Sequence, residues 1–305
     1  MEFKKDDFEI VGKDLGKAQQ IVRPSLTYWQ DAWRRLKKNP AAIIALIILI
    51  LLIIMSIVGP SMIKFNYSDQ DLTMTTAAPG VGGHWLGTDN LGRDMWARLW
   101  IGARISLSIG IIAACIELFV GVIYGGISGF VGGTLDNILM RIVDILMVIP
   151  ELVLVIILAM IFGRSYVTLI AAISVLHWLP MARIVRGQIL QVKEQEFVLA
   201  ARTLGANPSR LIFRHLIPNV IGPIIVRTTF SIPAAIFFEA FLSYIGLGIP
   251  QPLASWGSLA ASGQQQLQFY PHLLFWPALS ISLAMLSFNM LGDGLRDALD
   301  PRLRK

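Results

Sequence analysis

From residue 41 onward the chain alternates between long apolar runs and shorter polar connections. Ala41 to Val58 carries no charge and, at about 1.5 Å per residue, is long enough to cross a bilayer as a helix. Asn39-Pro40 before it supplies an N-cap followed by proline at the first helical position, and Gly59-Pro60 ends it. Five further runs read as spans: residues 105–127, 138–162, 166–185, 220–246 and 273–291. The third is interrupted by Asp144 and by Pro150-Glu151; the fourth holds His177 and Pro180; the fifth holds Arg227, Pro233 and Glu239. Gly121, Gly125 and Gly129 recur every four residues, with Gly133 beyond. Such a stripe lets a second helix approach closely, and packing within the subunit is favoured over a dimer seam. The pattern predicts an all-α integral membrane protein of six transmembrane helices, with both termini on one side.

The polar segments divide the rest. Residues 1–40 form a tail that, from Pro24 to Lys38, turns helical: Leu26, Trp29, Trp33 and Leu36 line one side and Arg34, Arg35, Lys37 and Lys38 cluster at the end. That fits an N-terminal interfacial helix; a lateral contact with another subunit fits it equally. Residues 41–104 hold the first span and an extracytoplasmic connection rich in turn formers, 105–292 the remaining spans, and 293–305 a second tail. Gln251 to His272 reads as an external loop with Trp256, Phe269 and Tyr270 near an interface.

Between the fourth and fifth spans lies a polar stretch, residues 193–219, that reads as helix, sharp turn, helix. Phe197, Ala200, Ala201 and Leu204 fall at i, i+3, i+4 and i+7, one narrow apolar face. Gly205 stands where a helix C-cap favours positive φ, and Asn207-Pro208 starts a second short helix with Leu211, Ile212 and Leu216 on its apolar side and Arg210 and Arg214 elsewhere. Pro218 cannot continue the ladder, so the chain is expected to turn there toward the bilayer. A basic amphipathic loop lying on the membrane is one use of such a segment. Docking into a partner's groove is the other, since Ala200, Ala201 and Gly205 leave the backbone approachable.

Composition agrees with a membrane protein: 55% of the 305 residues are hydrophobic and 15% charged, where soluble domains are nearer 25% charged. The net charge of +6 comes from basic blocks beside apolar runs, which suits orientation and anionic lipid rather than nucleic acid. Nineteen of the 26 lysines and arginines lie in 1–40, 183–218 and 293–305, against five in 61–104, 163–165 and 248–272. The positive-inside rule therefore places both termini and the 193–219 stretch in the cytoplasm. Cys115, the one cysteine, reads as a small buried hydrophobe, and His84, His177, His215 and His272 are too scattered for a metal site. No phosphate-binding G-x4-G-K-[ST] and no recurring catalytic constellation occurs, so neither a cofactor nor an enzymatic site is expected in this chain.

Glu196, Ala200, Ala201 and Gly205 stand as E-x3-A-A-x3-G, with Leu216-Ile217-Pro218-Asn219 closing the stretch. This resembles the "EAA" loop of permease subunits of bacterial ABC importers. Leu86-Gly87-Thr88-Asp89, Leu91-Gly92-Arg93-Asp94, Gly102-Ala103-Arg104 and the ending GDGLRDALDPRLRK are similar to the second permease of the dipeptide, oligopeptide and nickel importers. The resemblance covers roughly residue 25 to the end. It implies a type I importer permease fold and makes Glu196, Ala200, Ala201, Gly205, Leu216 and Pro218 the coupling helix and its closing residues, docked on a cytosolic ATPase. It further implies a second homologous permease, two ATPases that bind ATP and magnesium, and an extracytoplasmic peptide-binding protein. Peptide is favoured over nickel as cargo because histidines are sparse. For the 61–104 connection, a folded cap and a direct role with substrate stand equal.

Glu117, Asp144, Glu151 and Glu239 are candidate translocation-path groups, with Arg227 near them; pairing between helices explains them equally well. Alanine at Glu151 or Glu239 is expected to impair uptake while expression survives. An ion-coupled secondary transporter would also use broken helices and carboxylates, and the coupling stretch argues against it.

Overall fold

A computed structural model describes residues 27–300; the tail up to residue 23, Leu26 and the last five residues lie outside them. Helix α1, Tyr28–Lys38, begins on a capping box in which Thr27 and Gln30 satisfy each other's backbone N–H. Its expected apolar stripe divides. Leu36 and Ala32 are buried, Leu36 against Ala42 and Ala298, while Trp29 and Trp33 stay exposed and the Lys37 ammonium lies 5.2 Å from the Trp33 ring centre. Helix α2, Pro40–Val58, is capped by the Asn39 side chain and runs into a 3-10 turn, Gly59–Met62. It buries Ala42, Ala45, Leu49 and Leu52 and leaves Ile44, Ile47, Leu51 and Ile54 outward, one face for protein and one for lipid.

Helix α3 spans Met95–Val131, with the Asp94 carboxylate capping Ala97 N–H. It starts well before the expected Ile105. Two arginines interrupt the apolar pattern there, and both find partners: Arg98 is buried beside Asp89 and donates to the Tyr67 carbonyl, and Arg104 donates to the Ser56 and Ile57 carbonyls at the end of α2. The third span is broken as expected. Helices α4, Gly133–Met147, and α5, Glu151–Phe162, meet at an 80° bend, where Pro150 can donate no hydrogen bond. Helix α6, Tyr166–Lys193, carries Pro180 inside it. Then come α7, Glu196–Thr203, and α8, Pro208–Tyr244. Helices α9, Trp256–Gln265, and α10, His272–Leu299, are the last among the described residues. Among the described residues five helical runs are long and apolar enough to cross a bilayer, or six with the bent α4–α5 pair taken as one span.

The glycine stripe is the seam between α3 and α6. A side chain on Gly121 would meet Met181, one on Gly125 the Ala182 backbone, and one on Gly129 the Arg186 carbonyl and Ile189. Gly133 takes no part; it opens α4 with a φ of +61° and nothing against it.

Three expectations are corrected. The segment 251–272 is no loose loop: Ser255 nucleates α9 with a capping box, and Trp256 is wholly buried with its indole N–H donating to the Leu99 carbonyl at 3.1 Å. The tail assigned from 293 is helical through Leu299 and packs on α1 and α2, with Gly294 admitting Ala42 and Leu36. Cys115 is exposed on the bundle surface, because its position on α3 points away from the α6 seam that buries Gly121 and Gly125.

Candidate coupling segment and polar groups of the spans

At the end of α6, Lys193 donates to the Phe130 carbonyl at 2.8 Å, tying this end to α3. Helix α7 closes with Gly205 at φ +82°. The Ala206 N–H reaches the Ala201 carbonyl and the Gly205 N–H the Arg202 carbonyl, each at 3.0 Å, which is a Schellman closure with left-handed glycine. Asn207 then caps the Arg210 N–H at 2.8 Å, with Pro208 opening the next helix. Beneath this turn Val198, Leu211 and Leu216 are buried against Val185, Ile189 and Val192 of α6.

The other side faces outward. Glu196, Ala200, Gly205 and Pro218 are exposed, as are Phe197, Phe213 and Leu204, the last to 88%. The apolar face of the sequence is therefore present, but Phe197, Ala200 and Leu204 point away from the chain's own core. Ala201 is half-buried, and the residue that anchors α7, Val198, lies off that face. Leu216 is fully buried and supports the segment from below. The expected turn at Pro218 does not occur. A π-helical stretch, Leu211–Leu216, passes the Ile217 N–H to the Ile212 carbonyl, the Asn219 side chain occupies the His215 carbonyl at 2.6 Å, and the helix continues into the bilayer. The extra residue in that register absorbs the missing proline donor. A cavity of about 440 Å³ separates the segment from the end of α3.

All four candidate carboxylates have partners within the chain. Glu117 on α3 is 1% exposed and meets Arg227 of α8 at 3.0 Å. Glu151 at the start of α5 meets His177 of α6 at 2.7 Å. Asp144 pairs with Arg183, both half-exposed. Glu239 is sealed: its carboxylate accepts hydroxyls from Ser106 at 3.1 Å, Ser243 at 2.8 Å and Ser255 at 2.6 Å, joining α3, α8 and the cap of α9. Sequence reading missed a fifth junction. Arg186 forks onto both oxygens of Asp136 at 2.5 and 2.6 Å, and Ser128 adds a third bond. Asp136 and Arg186 lie fifty positions apart, and no local spacing announces the pair.

Glu239 thus acts as a staple. Replacing it by alanine would strand three buried hydroxyls and open a void, costing about 3 kcal/mol or more. The expected outcome is a lower melting temperature and less folded protein in detergent, not selective loss of transport; normal yield and melting with uptake lost would return Glu239 to the path.

The connection between α2 and α3 folds inward on itself. Asp89 caps the Leu91 and Arg93 N–H groups and pairs with the Arg93 side chain at 2.7 Å; Asp94 caps α3 and holds His84 at 2.7 Å. Gly87 and Gly92 have φ of +81° and +71°, and a Cβ on Gly92 would lie 1.8 Å from the Asp71 carbonyl oxygen. The geometry supports a folded cap for these residues.

Apolar spans, internally paired charges and an outward helix-turn-helix at one end are the marks of a multi-span membrane protein with an exposed apolar surface at a helix-bundle end. The family model for the binding-protein-dependent transport system inner membrane component matches residues 118–305, and the chain belongs to that family. The model for the N-terminal TM domain of oligopeptide transport permease C matches residues 27–79. The chain is 50% identical over 301 residues to the oligopeptide transport system permease protein OppC of Bacillus subtilis, covering 99% of this chain and 98% of that one. It is 49% identical over 302 residues to the dipeptide transport system permease protein DppC of the same organism, covering 98% and 94%. To the Escherichia coli OppC it is 44% identical over 277 residues, covering 90% and 92%.

Proposed function

We propose that this chain is one of two homologous permease subunits of an ATP-driven importer of dipeptides or oligopeptides in a bacterial cytoplasmic membrane. Two cytosolic ATPases bind ATP and magnesium and perform the hydrolysis, and an extracytoplasmic peptide-binding protein delivers cargo. The carrying observation is the two-sided coupling segment: Val198, Leu211 and Leu216 anchored below, Phe197, Leu204 and Phe213 bare above. An ATPase groove would take the bare side. Movement of α7 then passes through the buried side to α6, along the unbroken α8, and by Lys193 to the end of α3. The spans respond as a two-state element biased by the motor.

Relatives named for both oligopeptides and dipeptides support the cargo class. The test is reconstitution with the sister permease, ATPases and receptor in vesicles. Labelled di- and oligopeptides are expected to accumulate only with ATP, and nickel is not expected to compete. Accumulation driven by an ion gradient without ATP would instead support a secondary transporter. Nickel uptake with no peptide uptake would transfer the cargo to metal.

Orientation has its own check. With Cys115 replaced by serine, a cysteine at exposed Leu204 should react with an impermeant maleimide only from the cytoplasmic side, and one at exposed Thr73 only from outside. The reverse pattern would invert the topology.

A further inference from the structure

At the end of the bundle opposite the coupling segment, the start of α3, the α5–α6 turn, the end of α8 and helix α9 enclose a cleft of about 370 Å³. That is within the range of small-molecule sites. Its polar lining has one sign of charge. Arg98 and Arg164 face it together with Gln251, Ser258, Ser262 and Gln265, and no aspartate or glutamate lines it.

The positive charge is incompletely answered. Arg98 is only 3% exposed, yet it shares the single carboxylate of Asp89 with Arg93. Arg93 holds that carboxylate at 2.7 Å; Arg98 Nε stands at 3.3 Å, outside hydrogen-bonding geometry, and its remaining bonds go to the Tyr67 and Pro252 carbonyls. Arg164, at the mouth, donates to the Gly246 carbonyl at 2.7 Å and meets no acid among the described residues. Glu239, which accepts from Ser243 of the cleft wall, is wholly buried and occupied by serine hydroxyls, and Asp94 caps α3 and holds His84. Two guanidinium groups therefore face the cleft with no carboxylate in its lining, and the one acid beside Arg98 is shared with Arg93.

We propose that this cleft receives the terminal carboxylate of a peptide passing from the receptor into the transport path. The inference rests on the peptide-import reading. A guanidinium matches a carboxylate with two parallel charge-assisted bonds, and Arg164 has free donors at the mouth while Arg98 supplies fixed charge behind it. With no acid in the lining, an ammonium group would meet no opposite charge there and two like ones. Every linear peptide carries one α-carboxylate whatever its side chains, so a cleft reading that group alone suits cargo of mixed sequence.

The experiment uses the reconstituted complete importer and two peptides of one sequence, ending in a free carboxylate or a carboxamide. They are chosen by titration so that the receptor binds both, and each is supplied at saturation. Wild type is expected to import the acid faster than the amide. Arg164→Gln should cut acid uptake by about tenfold and bring the acid-to-amide ratio near one, whereas Arg164→Lys, which keeps the charge and loses the paired bonds, should give a ratio between those of Gln and wild type. Equal losses for both peptides would assign Arg164 to receptor docking or to structure and overturn the proposal, as would an unchanged ratio. If wild type imports neither peptide, the import reading itself fails, a result distinct from import without carboxylate preference.

Discussion

Leu204→Asp is expected to abolish ATP-driven uptake while leaving the permease folded. The side chain is 88% exposed and follows a helix closed by Gly205 and anchored by Val198, so it contributes little to the chain's own packing. In the proposed docked state it fills part of an ATPase groove. Burying a leucine contributes about 1.5–3 kcal/mol, and aspartate would both remove that and place a charge in an apolar contact. A weakening of ATPase capture by about 100-fold or more follows. Pull-down of the ATPases and uptake in vesicles should fail together, with the melting temperature within a degree or so of wild type. Leu216→Ala is the contrasting variant. It empties a fully buried site at a cost of about 2–5 kcal/mol, so the melting temperature itself should drop. If Leu204→Asp coupled normally, the segment would not be the docking surface, and the membrane-surface alternative would replace it.

Gly125→Ala should destabilise the protein more than any other single added methyl group on the α3 stripe. Its Cβ would lie 2.2 Å from the Ala182 carbonyl oxygen and 2.9 and 3.0 Å from the Ala182 carbonyl carbon and Cα. All three are backbone atoms, so relief requires α3 and α6 to separate. Overpacking of this kind costs about 1–3 kcal/mol where side chains can move; here they cannot. Gly126→Ala is the control, since its Cβ would meet only the Ile189 methyl at 3.8 Å. Both substitutions equally raise helix propensity. A clear fall in melting temperature and yield for Gly125→Ala with none for Gly126→Ala locates the effect in the seam. Equal behaviour of the two would mean that α3 and α6 do not pack as described.

The positions that were legible in the sequence share a cause. Asn39-Pro40 and Asn207-Pro208 begin helices because cap chemistry acts within three residues, and both caps form as read. Gly205 adopts its left-handed closure for the same local reason. The Gly121, Gly125 and Gly129 spacing disclosed a close helix contact, though not that α6 supplies the other side. Misreadings arose where a distant partner cancelled a local signal. The second span reads from 105 in the sequence, and α3 starts ten residues earlier because Asp89, Tyr67 and Ser56 pair with or accept from Arg98 and Arg104. Pro218 argued for a break until the π-helical stretch before it passed the chain through. Trp256 looked like an interface anchor because its burial depends on Leu99, more than 150 positions away.

By itself the sequence determined what depends on neighbours along the chain: how many apolar runs exist, which segment is polar, and that it folds as helix, turn, helix; the helices at the second, fourth, fifth and sixth runs extend beyond the apolar stretch. Only the tertiary structure decided which way each face points. It turned Phe197 and Leu204 outward and Val198 inward, withdrew Glu239 behind three serines, and gathered Arg98 and Arg164 around one cleft. The physical reason is that caps and hydrophobic periods are set by bonds spanning a few residues. Burial and charge pairing are set by contacts between helices whose register no single segment encodes.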